Sequence, residues 1–194
     1  MGPYHAIMVH FPVALWAVAS GVIVFRWLSD GPLAQAFDRV LVALLTIGVG
    51  TGLVAYVLGL LVWPPETLQA TPLGRNHMMA ATWTLTDWAA VLFVRWRAGD
   101  RAWSDGSTRM IIVGLGLLGA GLLAITGTLG GHLHGAPAFL SDVLRQLGWE
   151  VYQTVYLPTW MLVVLAVLII AMPVIAMLAR RGHAARRPLE ESAT

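Results

Sequence analysis

The stretch AIMVHFPVALWAVASGVIVFRWL, residues 6–28, decides the fold. It is close to the roughly 20 apolar residues that carry a helix across a bilayer. An imidazole and a proline near its start and an arginine near its end are the exceptions. A helix tolerates proline in its first turn, so Pro12 predicts a helix start close to His10. An ionisable ring just inside an apolar span is expensive without a partner, which makes His10 the first candidate for a functional role.

Outward from that stretch the pattern recurs. After the turn cluster Ser29-Asp30-Gly31-Pro32, a second span runs from about residue 40 to 63, carries Gly48, Gly50, Gly52 and Gly59, and stops at Pro64-Pro65. A loop holding Glu66, Pro72, Gly74 and Arg75 leads to Asn76-His77. Asn76 is the expected cap of a third span that reaches about residue 94 and contains Asp87. A polar, arginine-bearing loop over 95–109 precedes a fourth span, about 110–129. Its Gly114, Gly116, Gly119 and Gly121 permit close backbone approach, and it ends in the turn GGHLHG at 130–135. Between 137 and 156, Leu140, Val143, Leu144, Leu147 and Val151 recur at helical spacing among Asp142, Arg145 and Glu150, as in a helix lying on a membrane surface. A fifth span over about 156–179 leads into a basic tail, 180–194, expected to be disordered.

The composition agrees. Of 194 residues 58% are hydrophobic and only 11% charged, against about 25% charged in soluble domains, and the mean hydropathy is +0.73. The expected fold is an all-α integral membrane protein of about five transmembrane helices: a four-helix bundle, a C-terminal span and an amphipathic surface helix on the periplasmic side. Residues 1–179 form the transmembrane domain. All basic side chains are arginine, and a net charge of +2 is too small and scattered for a nucleic-acid surface. The absence of cysteine excludes disulfides, thiolate metal sites and covalently attached c-type haem. Residues 1–5 lack a basic n-region and a cleavage site before the first apolar run, so that run is expected to be a retained span rather than a signal peptide.

Five crossings put Arg26, Arg39, Arg95, Arg97, Arg101, Arg109, Arg180, Arg181, Arg186 and Arg187 on one side, leaving Arg75 and Arg145 for the other. The positive-inside rule makes the first side cytoplasmic, with the N-terminus periplasmic and the C-terminus cytoplasmic in a bacterial inner membrane. Five of the six histidines, His5, His10, His77, His132 and His134, then share the outer face, while His183 lies in the basic tail.

Neutral imidazoles suit haem iron, copper or zinc, and helix bundles build cofactor sites from facing helices. His10 and His77, each about one turn inside a different helix, are the expected axial pair of a b-type haem, with His132 or His134 as alternates and Arg75 placed to meet a propionate. The glycines of spans two and four either leave room for the ring or simply pack helices. Hydrogen bonding to a carbonyl or wetting at the interface is the competing account of each histidine, and His5 reads as interfacial. Asp87, about three turns below His77, either relays protons from a quinol or bonds locally to Thr84 or a neighbouring helix. The nine tryptophans mostly fit interfacial belts.

The segments His5-Ala6-Ile7-Met8-Val9-His10-Phe11-Pro12, Arg75-Asn76-His77 and Gly130-Gly131 together resemble a bacterial family of predicted membrane proteins of unknown function. Its pattern opens His-Pro-x-x-Val-His-Phe-Pro, places a histidine at the start of the third helix and closes the fourth with Gly-Gly-x-x-Val-Tyr-x-His-Gly. The match covers about residues 5–135; Ala6 replaces the family proline, and the ending here is shorter. The resemblance implies a four-helix unit like b-type cytochrome membrane subunits, with His10 and His77 at matching positions. The expected role is therefore a haem b subunit passing electrons between the quinone pool and a periplasmic or membrane redox partner. A non-catalytic anchor or assembly subunit, and a periplasmic copper or zinc site, are the alternatives.

Overall fold

The computed structural model describes residues 2–62, 64–150, 152–153, 159–160, 163–164 and 167. The fifth span and the basic tail fall almost wholly outside these residues. The chain divides into two compact units, residues 1–143 with 151–155, and residues 144–150 with 156–194.

The first unit is helical throughout its ordered elements. Helices α1 (Gly2–Met8) and α2 (His10–Leu28) are separated only by a turn residue, Val9. The bonds Val9 N–H to His5 O (3.0 Å) and Val13 N–H to Val9 O (3.2 Å) carry the ladder across that turn, past the proline that cannot donate. Helix α3 (Pro32–Val62) opens on a proline, as a first helical position permits. Then come α4 (Pro65–Gln69), α5 (Pro72–Ala98), α6 (Arg101–Ser104), α7 (Gly106–Leu133) and α8 (Phe139–Gln146).

Three of the long segments, Gly2–Leu28, Pro32–Val62 and Gly106–Leu133, are long and apolar enough to cross a membrane. With α5 they form an antiparallel four-helix bundle in which α5 packs most extensively on α7, and α2 on α3. Its exterior exposes Val18, Ile47, Leu53, Phe93, Ile111 and Leu118, the surface of a protein whose solvent is lipid.

Several boundaries differ from the expectations. Asn76 does not cap α5: Thr71 does, its hydroxyl accepting from Gly74 N–H at 3.1 Å, while buried Asn76 donates to the carbonyl of Gln153. Gly130-Gly131 does not close the fourth span, because α7 runs on to Leu133 and places both glycines and His132 in its last turns. Asp105 starts α7 by accepting from Thr108 N–H at 2.8 Å, inside what reads in sequence as a loop. The surface helix is shorter than its periodicity suggests, ending at Gln146 before Gly148, whose φ of 85° favours glycine.

Each long helix buries a stripe with the alternating three- and four-residue steps of a left-handed bundle. The stripes are Pro12, Trp16, Ala19, Ile23 and Arg26 on α2; Leu41, Leu45, Gly48, Gly52 and Ala55 on α3; Thr84, Trp88, Val91 and Arg95 on α5; and Ile112, Gly116 and Gly119 on α7. The glycines serve the tryptophans. A Cβ on Gly48 would lie 2.6 Å from Trp16 Nε1, and one on Gly119 2.9 Å from Trp88 Cε2. Trp16 and Trp88 stack at 5.8 Å with planes 6° apart. These two indoles belong to the bundle core rather than to an interfacial belt.

Candidate functional site

At the end of the bundle away from most of the arginines, the stripes continue into histidine. His5 extends the α2 stripe seven residues before Pro12, and His77 extends that of α5 seven before Thr84. Both rings rest on glycine: a Cβ on Gly59 would lie 3.0 Å from His5 Cε1, and one on Gly130 3.1 Å from His77 Cε1. The arrangement of His5, Gly59, His77 and Gly130 repeats that of Trp16, Gly48, Trp88 and Gly119, displaced by eleven residues on every helix (16 − 5, 59 − 48, 88 − 77, 130 − 119). Two large rings face two bare backbones in each layer.

His5 and His77 both line two neighbouring cavities of about 90 and 70 Å³, which share Tyr56 and Ala81 as walls. The first reaches inward past Thr84 and Thr126 to Trp16; the second reaches outward to His134. The walls are otherwise mainly apolar, the usual character of a small-molecule site with a few polar groups to fix orientation.

The hydrogen bonds set which nitrogens are available. His5 Nδ1 is 2.9 Å from the carbonyl oxygen of Ala55, so Nδ1–H donates and Nε2 keeps its lone pair. His77 lies within electrostatic reach of His5 and His134 and within backbone hydrogen-bonding reach of Thr126, and its buried Nδ1 has no hydrogen-bond partner. Tyr56 OH and Thr82 Oγ1 pair at 2.9 Å across α3 and α5.

The structure does not bring His10 to this place. Its ring is exposed, lines neither cavity, and donates from Nδ1 to the Ala6 carbonyl oxygen one turn back at 2.7 Å. The expected His10–His77 pair thus does not enclose a common space. His132 is buried and lines neither cavity; its Nδ1 meets Tyr152 OH at 2.9 Å with the rings edge to face. His134, exposed and bonded through Nδ1 to Gly130 O at 2.9 Å, borders only the outer cavity. Arg75 is exposed two residues before His77. No cluster of three or more metal-ligating side chains occurs among the described residues.

Sequence reasoning passed over His5, and it missed a second polar cluster at the opposite end. There Arg95 grips Asp38 through Nε (3.1 Å) and Nη2 (2.7 Å), and Trp103 Nε1 donates to the same carboxylate at 2.8 Å. Arg26 lies over the Trp103 ring at 5.4 Å and pairs with Asp30, while Arg109 Nη2 donates to Trp27 O at 2.5 Å. These contacts fasten α2, α3, α5, α6 and α7 together.

Helical spans with an apolar exterior and a polar core at each end define an integral membrane protein. The chain belongs to the family described as predicted membrane protein (DUF2231), whose model matches residues 1–136 and so covers the whole four-helix bundle. No curated protein and no solved structure matches it.

Proposed function

We propose that the protein is a membrane redox subunit that holds haem b between His5 and His77, and that it exchanges electrons between the quinone pool and a periplasmic or membrane partner. The observation that carries this reading is the pair of glycine-backed imidazoles from different helices facing the same cavities.

The residues fit the group in three respects. Each ring offers a nitrogen: His5 through Nε2, with Nδ1 held by Ala55, and His77 through a buried Nδ1 that lacks a partner. Gly59 and Gly130 back the two imidazoles, where any side chain would collide with the rings. The walls are mainly apolar, as a flat macrocycle requires, although cavities of about 90 and 70 Å³ must open to admit one, and Arg75, exposed on α5 two residues before His77, suits a propionate. Haem bound there supplies one-electron chemistry. The chain supplies the ligands, their orientation through Ala55 O, and burial that sets the potential.

The test is the reduced-minus-oxidised visible spectrum of purified protein and of variants. A b-type spectrum lost in His5→Ala and in His77→Ala supports the reading. A colourless preparation from cells supplied with haem overturns it, and metal by elemental analysis in that colourless protein favours a copper or zinc site instead. An anchor or assembly role is left when neither chromophore nor metal is present.

A further inference from the structure

We propose that the chamber formed by the two histidine-lined cavities is filled from the bilayer, by a membrane-dissolved amphiphile carrying a hydrogen-bond acceptor, through the α3–α5 seam that the Tyr56–Thr82 hydrogen bond latches. Haem, with apolar faces and propionates, is such a molecule, and the proposal rests on the haem reading only for that identity.

The seams around the chamber are not equivalent. His5, Tyr56, His77 and Ala81 line both cavities, so the seam between α3 and α5 borders each of them. Helix α2 borders the inner cavity alone, through Pro12, Val13 and Trp16. The α5–α7 seam also reaches both, but there the helices pack most extensively, Thr84 and Thr126 pair at 2.8 Å, and Gly130 backs the His77 ring. Toward the aqueous side α4 is a roof, its Leu68 lining the outer cavity. Prolines 64, 65 and 72 restrict that connection, and Leu68 O sits so close to α5 that a Cβ on Gly74 would collide with it.

The α3–α5 seam faces lipid. At helical rise the latch lies about 9 Å inside the end of α3 at Val62 and about 15 Å inside the start of α5 at Pro72. Leu53, Val57 and Leu61 of α3 and Trp83 of α5, next to it in register, are all exposed. Thr82 donates its one hydroxyl proton to Met78 O at 2.8 Å, so in the 2.9 Å pair with Tyr56 the phenol is the donor. When the seam opens, Thr82 stays bonded within its own helix and the phenol loses its acceptor. Hydrocarbon offers no water in exchange, which keeps the latch closed. An incoming carboxylate or carbonyl accepts from the phenol and offsets that loss, whereas a plain hydrocarbon does not. Inside, it meets the nitrogens of His5 and His77. Asp87 lines neither cavity and takes no part: its Oδ2 faces Gly119, and Thr84 bonds to Ala80 O and Thr126 instead.

The chain has no cysteine, so one introduced thiol reports alone. Ala81→Cys places it in the wall both cavities share. Protein in liposomes is treated with phenylmercury acetate, which is neutral and dissolves in the bilayer, or with its charged analogue p-chloromercuribenzenesulfonate. In both cases sulfur bonds mercury as the thiol proton leaves with the displaced anion, and the adduct is followed by mass. Phenylmercury acetate is expected to react at least about tenfold faster, because a charge within a span is costly. Its rate is expected to rise about fivefold in Tyr56→Phe and in Thr82→Val, the effect of one lost hydrogen bond, and to stay native in Thr82→Ser. Val13→Ala, which thins the α2 wall of the inner cavity, leaves it unchanged. Faster reaction with the sulfonate overturns the proposal, as does a rate that loss of the latch does not move, or one raised by Val13→Ala and not by Tyr56→Phe. Met78→Cys, on the outer cavity, repeats the measurement if circular dichroism melts show that Ala81→Cys has not folded. No haem is needed: the expected rates in a colourless protein keep the route and end the haem reading, and a b-type spectrum with rates unmoved does the reverse.

Discussion

His5 and His10 differ by five residues, which on an α-helix is a rotation of about 140°, so both cannot face one bundle axis. Which of them faces inward is written in the residues that follow. Counting back from Trp16 and Pro12 in steps of four and three leads through Val9 to His5 and leaves His10 on the outside. Depth within the apolar run favours His10, whereas register, equally legible in the sequence, favours His5, and the bundle follows register. Asp87 shows the reverse: its burial was legible from its place in a span, while its contact with Gly119 depends on how α5 meets α7. Because His10 is exposed and its ring is bonded only to the Ala6 carbonyl one turn back, His10→Ala should change stability by no more than about 0.5 kcal/mol in detergent melts. It should also leave the visible spectrum of the holoprotein unchanged. A b-type spectrum lost in His10→Ala but kept in His5→Ala would reverse the ligand assignment.

At the scale of the helix, glycines that look alike in sequence have different duties. Gly48, Gly52, Gly116 and Gly119 sit against Trp16, Ile23 and Trp88, whereas Gly50, Gly114 and Gly121 have no neighbour within 4 Å of an added Cβ. The sequence showed a stripe of small residues but not which partner each one accommodates, since that depends on the crossing of two helices. Gly48→Ala places a methyl 2.6 Å from the Trp16 indole nitrogen, and overpacking of this kind costs about 1–3 kcal/mol. Gly114→Ala, on the open face, should be neutral or slightly stabilising because alanine is the better helix former. Thermal unfolding of the two variants in one detergent checks the contrast; equal melting points would contradict the packing described. Helix ends were the least legible feature, because Thr71 and Asp105 cap from positions that look like ordinary loop residues.

Across the whole molecule the two ends of the bundle are held by different physics. At the arginine end Asp38 is a shared acceptor, with its side chain 13% and that of Arg95 9% exposed. Removing one partner strands a buried charge, so Asp38→Ala should cost about 3–5 kcal/mol in chemical or thermal unfolding. Nearby, Asp30 is exposed, and its hydrogen bond from Arg26, aided by Arg109, holds its carboxyl below the ordinary value of 3.8. A carboxyl depressed in the folded state lends stability that is complete above the unfolded value and lost as pH falls through the folded one. Acid melts of native protein and Asp30→Asn should therefore differ above about pH 4 and draw together as pH falls below it through the depressed folded value, modestly and less so in high salt. Sequence reading found the excess of arginine and used it for orientation. It did not find this clamp, because Asp38 and Arg95 are 57 residues apart.

At the opposite end the helices meet through an imidazole on a carbonyl, a tyrosine on a threonine, and ring edges on glycine. A peg pinched hard at its spring yields at its jaws. Guests arriving sideways from the bilayer would part α3 from α5 at the histidines, with the aspartate-arginine grip serving as the fulcrum.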